Sequence, residues 1–213
     1  LILLLALISV SSTSLVIKAL PTIPAITMAF WRMIIASAFL WIYSGFIKVE
    51  PLKKKSLNRV ALAGFFLGLH FTCFFWGVRN TSIANATLLG NTGPLFTAGI
   101  TFILYKTFSK KVFLSLFVAL VGVFLIQRSD FYSSSTTYMG NIISLLSGFF
   151  IALVYIIAKN IRKENSTVSY GRTLFLFAAT TVAIICFITN VSLFSFELKE
   201  FKWFLFLGVV PSI

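Results

Sequence analysis

The chain has 213 residues, 59% hydrophobic and 11% charged, with a net charge of +13 and a mean hydropathy of +1.00. A soluble domain carries about 25% charged residues, so this composition excludes a water-facing globule and indicates a membrane protein. Nucleic acid is excluded as a partner of the basic groups, because the lysines and arginines fall in alternate short connections and not along one amphipathic face.

Apolar segments run over residues 1–19, 25–46, 60–77, 83–105, 112–127, 138–158, 173–191 and 201–213. The complete ones are long enough to cross, or nearly cross, a hydrocarbon core of about 30 Å, which makes the chain an all-α polytopic protein and not a barrel of short strands. About eight spans are present. The last stops at VVPSI, too short to cross, and the first lacks an initiating Met and a basic flank, so the expectation is a fragment cut at one or both ends and not a signal peptide. Cys73 and Cys186 both lie in apolar segments, leaving neither a disulfide framework nor a four-ligand metal site; no cofactor is expected.

In chain order, the first span carries Ser9, Ser11, Ser12, Thr13 and Ser14. Such hydroxyls can satisfy themselves on their own helix carbonyls or face a cavity, with Ser12 the candidate. Arg32 lies some seven residues into the second span, where it either snorkels outward or faces an aqueous vestibule and attracts an anionic or zwitterionic solute. The third span holds His70, the sole histidine, near midplane in GLHFTCFFWG. It could bond a solute, relay a proton or merely hydrogen-bond a neighbouring serine. Trp76, with Phe71, Phe74 and Phe75, reads as a cavity wall for an apolar solute or as part of an interfacial belt. Ala61, Gly64, Gly68 and Thr72 form a packing strip.

The fourth span contains LLGNTGPLFTAG. At helical spacing Ala84, Thr87, Asn91, Pro94, Ala98 and Thr101 form a small and polar face unsuited to lipid, beside a smooth strip of Ala86, Gly90, Gly93 and Thr97. Pro94 lacks an N–H and clashes with the Gly90 carbonyl, so the expectation is one helix kinked there. Asn91 and Pro94 either line a cavity and hinge, or only glue and bend a packed helix; Asn85 sits nearer the outer end. The fifth span offers only the packing strip Ser115, Ala119 and Gly122. The sixth presents Ser144, Gly148, Ala152 and Tyr155 on one face with Ser147 beside it, Tyr155 being an interface anchor or an inner-gate contact.

Orientation follows from the bases. The connections after spans 2, 4 and 6 hold Lys48, Lys53, Lys54, Lys55, Arg59, Lys106, Lys110, Lys111, Lys159, Arg162 and Lys163, eleven against the five of Lys18, Arg79, Arg128, Lys199 and Lys202 in the other connections, with Arg32 and Arg172 set aside at or just within span boundaries. The richer set faces the cytoplasm, which places the N-terminus there. Lys18 to Arg32 and Lys159 to Arg172 are separated by 14 and 13 residues, across comparable linkers. This hints at a repeat of five spans, whose odd number would insert successive units upside down.

No Walker A sequence, no His-Glu-x-x-His, no selectivity-filter loop and no acidic residue within a span is present in residues 1–213. Primary ATP hydrolysis and metalloprotease chemistry lack their parts.

The segments SSTSLVIKALPTIPAITMAFWRMIIAS, GLHFTCFFWGVRNTSIANATLLGNTGPLFTAG and VALVGVFLIQ together resemble the drug/metabolite transporter superfamily, specifically its EamA-type members. The resemblance implies ten spans built as two inverted five-helix units, with both termini cytoplasmic. It implies residues 1–130 as the first unit and 138–213 as an incomplete second one. It further implies alternating-access movement of small metabolites, often amino acids and related compounds, through a cavity between the units. His70 matches a family histidine or aromatic position in the third span, the stretch from Thr81 to Ala86 matches the small-residue opening of the fourth, and Asn91 and Pro94 match its middle. Arg32 matches the arginine that begins the second span. Many members carry a glycine and a glutamate after the fourth span, where this chain reads LYKTFSKK.

The leading expectation is a secondary transporter of the inner or plasma membrane, an exporter of small organic metabolites. Its partners are a small-molecule solute, the lipid bilayer and, as an option, a second copy in a homodimer. A membrane-embedded enzyme using His70 is the alternative, although no acidic partner stands beside that base. A non-transporting structural membrane protein is the third reading. The candidate cavity or hinge residues are Ser12, Arg32, His70, Trp76, Asn85, Thr87, Asn91, Pro94 and Tyr155.

Overall fold

In lipid each backbone N–H and C=O must find its partner within its own segment, so uncharged apolar runs fold as helices. The computed structural model describes residues 2–106, 110–127 and 135–212, in which no strand occurs. Arg128, and most of the junction drawn between residues 130 and 138, lie outside the described residues. The helices are α1 (Ile2–Ala19), α2 (Ala25–Phe46), α3 (Leu57–Asn80), α4 (Ile83–Gly90), α5 (Gly93–Tyr105), α6 (Lys110–Gln127), α7 (Ser135–Glu164), α8 (Thr167–Ile188) and α9 (Phe201–Val209). Among the described residues five stretches are long and apolar enough to cross a bilayer, with α4 and α5 counting as one, and Ile8–Ala19 is a shorter apolar helix.

Two boundaries differ from expectation. The fourth span is two helices and not one kinked helix: the chain turns at Asn91 and Thr92, before the proline. Pro94 then occupies the first turn of α5, where its missing N–H is one that no helix would use. The Leu89 carbonyl exposed by the turn accepts from the Thr92 N–H at 3.2 Å and from its hydroxyl at 2.6 Å. The seventh span begins at Thr167 and not 173, so Arg172 lies in the second turn of α8 and does not open it. Hydropathy passes over TVSYGR, yet Ser169 and Tyr170 are buried against protein, and the Ser169 hydroxyl donates to the Glu50 carbonyl.

α3 occupies the centre, flanked by α7 and α8; α2 packs on α8 and α9, α4 and α5 pack on α7, and α6 lies at the edge beside α4. Glycines set the closeness of these crossings. A Cβ on Gly68 would fall 2.8 Å from the Ala178 carbonyl of α8, and one on Gly140 of α7 would fall 2.8 Å from the Asn80 carbonyl of α3. The strip of Gly64 and Gly68 is therefore a packing face, as its spacing predicts. Two buried clusters result. One joins the ends of α1 and α8 to the start of α2, the later half of α3 and α9; the other joins the first half of α3 to mid-α2, α7 and α8.

The connections sort by end. Lys53 N–H donates to Asn165 Oδ1 at 2.9 Å and Lys55 pairs with Glu164 at 2.8 Å, holding the base-rich α2–α3 and α7–α8 connections together. On the base-poor side Arg79 donates to the Leu20, Pro21 and Ile23 carbonyls at 3.0, 2.6 and 3.0 Å. Thr27 and the Trp31 indole clamp Ser192 and Leu193 carbonyls at 2.9 and 2.8 Å. Trp31 also stacks on Phe204 and meets Phe194, Phe196 and Phe201 edge-on, forming an aromatic plug that hydropathy alone does not single out.

Candidate functional site

A cavity of about 590 Å³ opens between α1, α2, α3, the α4–α5 turn and α7. Its volume falls within the roughly 300–1,000 Å³ typical of small-molecule sites. α1 contributes Val10, Ser11, Thr13 and Ser14; α2 contributes Arg32; α3 contributes His70, Phe71 and Phe74. Thr87, Gly90, Asn91, Gly93 and Pro94 form the wall at the helix turn, and Ile151 and Tyr155 close it from α7.

Each wall has a local cause. Gly90 and Gly93 let the turn approach its neighbours: a Cβ on Gly90 would lie 2.7 Å from the Phe74 ring, and one on Gly93 would lie 2.7 Å from Ile151. Gly148 of α7 in turn faces Thr92 and the Leu89 carbonyl. With the smooth strip seated on α3 and α7, Thr87, Asn91 and Pro94 point to the opening. The Thr87 hydroxyl is 3.3 Å from that of Ser14, tying α4 to α1.

Arg32 is 6% exposed and does not snorkel. Its Nη1 donates to Thr13 Oγ1 at 3.3 Å, Nε to Ser212 Oγ at 3.0 Å and Nη2 to the Pro211 carbonyl at 3.1 Å, and the guanidinium lies 4.5 Å from the Phe71 ring centroid. Its head is held among α1, α3 and the residues that follow α9. His70 Nδ1 lies 2.9 Å from both the hydroxyl and the carbonyl of Ser147 on α7. A carbonyl only accepts, so the favourable neutral tautomer carries its proton on Nδ1, leaving Nε2 as an acceptor. The ring stacks on Phe74 at 6.0 Å and meets Phe71 edge-on at 4.8 Å.

Of the nine candidates, Arg32, His70, Thr87, Asn91, Pro94 and Tyr155 line this cavity. Ser12, Trp76 and Asn85 do not. The Ser12 hydroxyl donates to its own helix at the Ser9 carbonyl, 2.6 Å away, while Thr13 and Ser14 face inward. On α3 the phase that aims Phe71 and Phe74 at the cavity carries Trp76 off it; the Trp76 carbonyl accepts from Asn80 Nδ2 at 2.8 Å. Asn85 is buried at the start of α4, its N–H capped by Ser82 Oγ at 3.1 Å. Sequence reading missed Ser11, Thr13 and Ser14 as lining residues and Ser212 as a partner of Arg32; it foresaw a serine beside His70 without naming Ser147. An unbroken run of hydroxyls from 11 to 14 covers nearly all helix phases, so spacing alone carries no signal of the facing side.

Tyr155, half exposed, also borders a second, open cavity of about 410 Å³ with Lys159, Arg162, Lys163 and Thr167. It therefore stands between the two spaces. Among the described residues no three of His, Cys, Asp and Glu converge as metal ligands.

The sequence pattern of the EamA-like transporter family matches residues 1–128. The pseudopaline exporter CntI of Pseudomonas aeruginosa is 24% identical over 201 residues, which are 94% of this chain and 69% of the exporter. An uncharacterized transporter of Archaeoglobus fulgidus is 24% identical over 179 residues, 82% of this chain and 62% of that protein. The uncharacterized transporter YyaM of Bacillus subtilis is 26% identical over 171 residues, 76% of this chain and 55% of YyaM.

Proposed function

The chain belongs to the EamA-like transporter family, and from that premise we propose that it moves a small organic metabolite, amino acids and related compounds among the candidates, outward across the inner membrane by alternating access. The observation that carries the reading is the cavity itself, polar on several sides yet set within apolar helices, with walls from α1–α5 on one side and α7 on the other. Polar groups facing a cavity at membrane depth are costly unless they meet water or a solute. Similarity to a pseudopaline exporter supports the outward direction.

The proposed mechanism is rocking of α1–α6 against the unit that begins at α7, with the α4–α5 turn as hinge and Tyr155 as inner gate. A repeated crossing supports the inverted pair of units. A Cβ on Gly64 of α3 would fall 2.9 Å from the Leu174 carbonyl and against the Phe177 side chain of α8. One on Gly208 of α9 would fall 3.3 Å from the Arg32 carbonyl and 2.6 Å from Ile35 Cβ of α2. In both crossings a glycine of a unit's third span meets a carbonyl and the side chain three residues on in the other unit's second span. The N-terminus is proposed to be cytoplasmic from the gathering of base-rich connections at one end.

The buried His70–Ser147 pair does not favour an enzyme, because Ser147 is fully buried and outside the cavity lining. Comparison of intracellular and released metabolites in cells with and without the intact gene tests the function. A solute retained without the gene and released with it is the expected result; identical profiles under solute loading would refute export.

A further inference from the structure

We propose that the solute carries a carboxylate and docks it on Arg32, an inference that rests on the transport reading above. Burying a guanidinium costs several kcal/mol unless a counter-charge or hydrogen bonds replace its water. Among the described residues the groups that meet Arg32 are all neutral: two hydroxyls, one carbonyl and the faces of Phe71 and Phe75. They occupy three of its five N–H donors, leaving one on each terminal nitrogen, the number that a carboxylate fork takes. No acidic residue of the sequence lies in a span, and the two ion pairs among the described residues, Lys55–Glu164 and Lys199–Glu197, sit at exposed ends. No acidic side chain of these residues supplies the neutralising charge, and it is assigned to the solute.

The rest of the cavity narrows the class. Phe71, Phe74 and Ile151 offer an apolar wall for an organic body, and His70 Nε2 is an acceptor for a second polar group. Arg32 is the one fixed cation lining the cavity among the described residues. A monoanion balances it, whereas a phosphate monoester would bring a second charge with no partner there. The adjoining space beyond Tyr155 is edged by Lys159, Arg162 and Lys163, which raises the local concentration of anions. Those three bases stand where membrane topology puts bases in any case, so Arg32 carries the inference.

The test uses the full-length protein in lipid nanodiscs and matched probes, 3-phenylpropionate with 3-phenylpropionamide and 4-methylvalerate with 4-methylvaleramide. Calorimetry and thermal unfolding should show the carboxylate of at least one pair binding roughly tenfold or more tighter than its amide. Arg32→Gln should abolish that preference and Arg32→Lys should keep part of it. If Arg32→Gln does not fold, the wild-type comparison decides alone: amides equal to carboxylates in both pairs would overturn the proposal. Proteoliposome flux separates the two readings. Carboxylate preference without flux removes transport and leaves the site; flux indifferent to the carboxylate and unchanged in Arg32→Gln removes the site and leaves transport.

Discussion

Replacing Gly148 by alanine should loosen the cavity wall, and the structure sets the size of the effect. The new methyl would fall 2.8 Å from the Leu89 carbonyl and 3.4 Å from Thr92 Cβ, and closest of all to the Thr92 hydroxyl. That hydroxyl donates to the same Leu89 carbonyl at 2.6 Å and holds the α4–α5 turn shut. Overpacking of this kind costs about 1–3 kcal/mol, and displacing the hydroxyl from its acceptor adds about 1 kcal/mol. Helix propensity returns up to about 1 kcal/mol for any Gly→Ala change, leaving a net loss of about 1–3 kcal/mol. Gly99→Ala on α5 is the control, since a Cβ there meets nothing within 4 Å; it should gain up to about 1 kcal/mol. At about 2–4 °C per kcal/mol for a chain of this size, the two variants should unfold roughly 4–16 °C apart. Thermal unfolding of the full-length protein in detergent measures this. Equal midpoints, or a more stable Gly148→Ala, would refute the close α4–α5 to α7 contact.

In a background with Cys73 and Cys186 replaced, Thr87→Cys and Asn91→Cys should react with a water-soluble thiol reagent in a manner that solute changes, while Trp76→Cys stays unreactive; uniform protection at 87 and 91 removes the pathway from this wall. His70→Phe should remove the partner of the buried Ser147 hydroxyl, costing about 1 kcal/mol and lowering flux, and unchanged flux with unchanged stability would reduce the histidine to an inert filler. Arg79→Lys should destabilise the protein by about 1–3 kcal/mol, because an ammonium cannot fork to three carbonyls as the guanidinium does; an unfolding midpoint equal to wild type counts against the clamp on the α1–α2 connection. Trp31→Phe should lose the bond to the Leu193 carbonyl and about 1 kcal/mol, and faster proteolysis within residues 190–200 reads this out directly.

The α4–α5 turn shows where sequence reading reaches and where it stops. Its glycines, proline and amide announced an interruption, and the division into a packing strip and a polar face is visible from spacing alone. The place of the break was not, because Pro94 is equally compatible with kinking a continuous helix or opening a new one; Thr92 settled it by capping the Leu89 carbonyl. Arg32 was similarly ambiguous. Whether a long cation snorkels depends on what stands between it and the interface, and that is supplied by Thr13, Phe71 and residues of the chain up to 180 positions away.

Composition and periodicity by themselves determined that this is a helical membrane protein, where its spans lie to within a turn or two, and which helices carry polar faces. Those follow from hydrophobic cost per residue and from 3.6-residue geometry, which act locally. Only the tertiary structure decided which faces converge. The phase of α1 chose Thr13 over Ser12, the phase of α3 chose Phe71 and Phe74 over Trp76, and α7 claimed one nitrogen of His70 for Ser147. Convergence depends on helix rotation, and rotation is set by close contacts such as Gly68 on Ala178 and Gly148 on Leu89, between residues far apart in the chain.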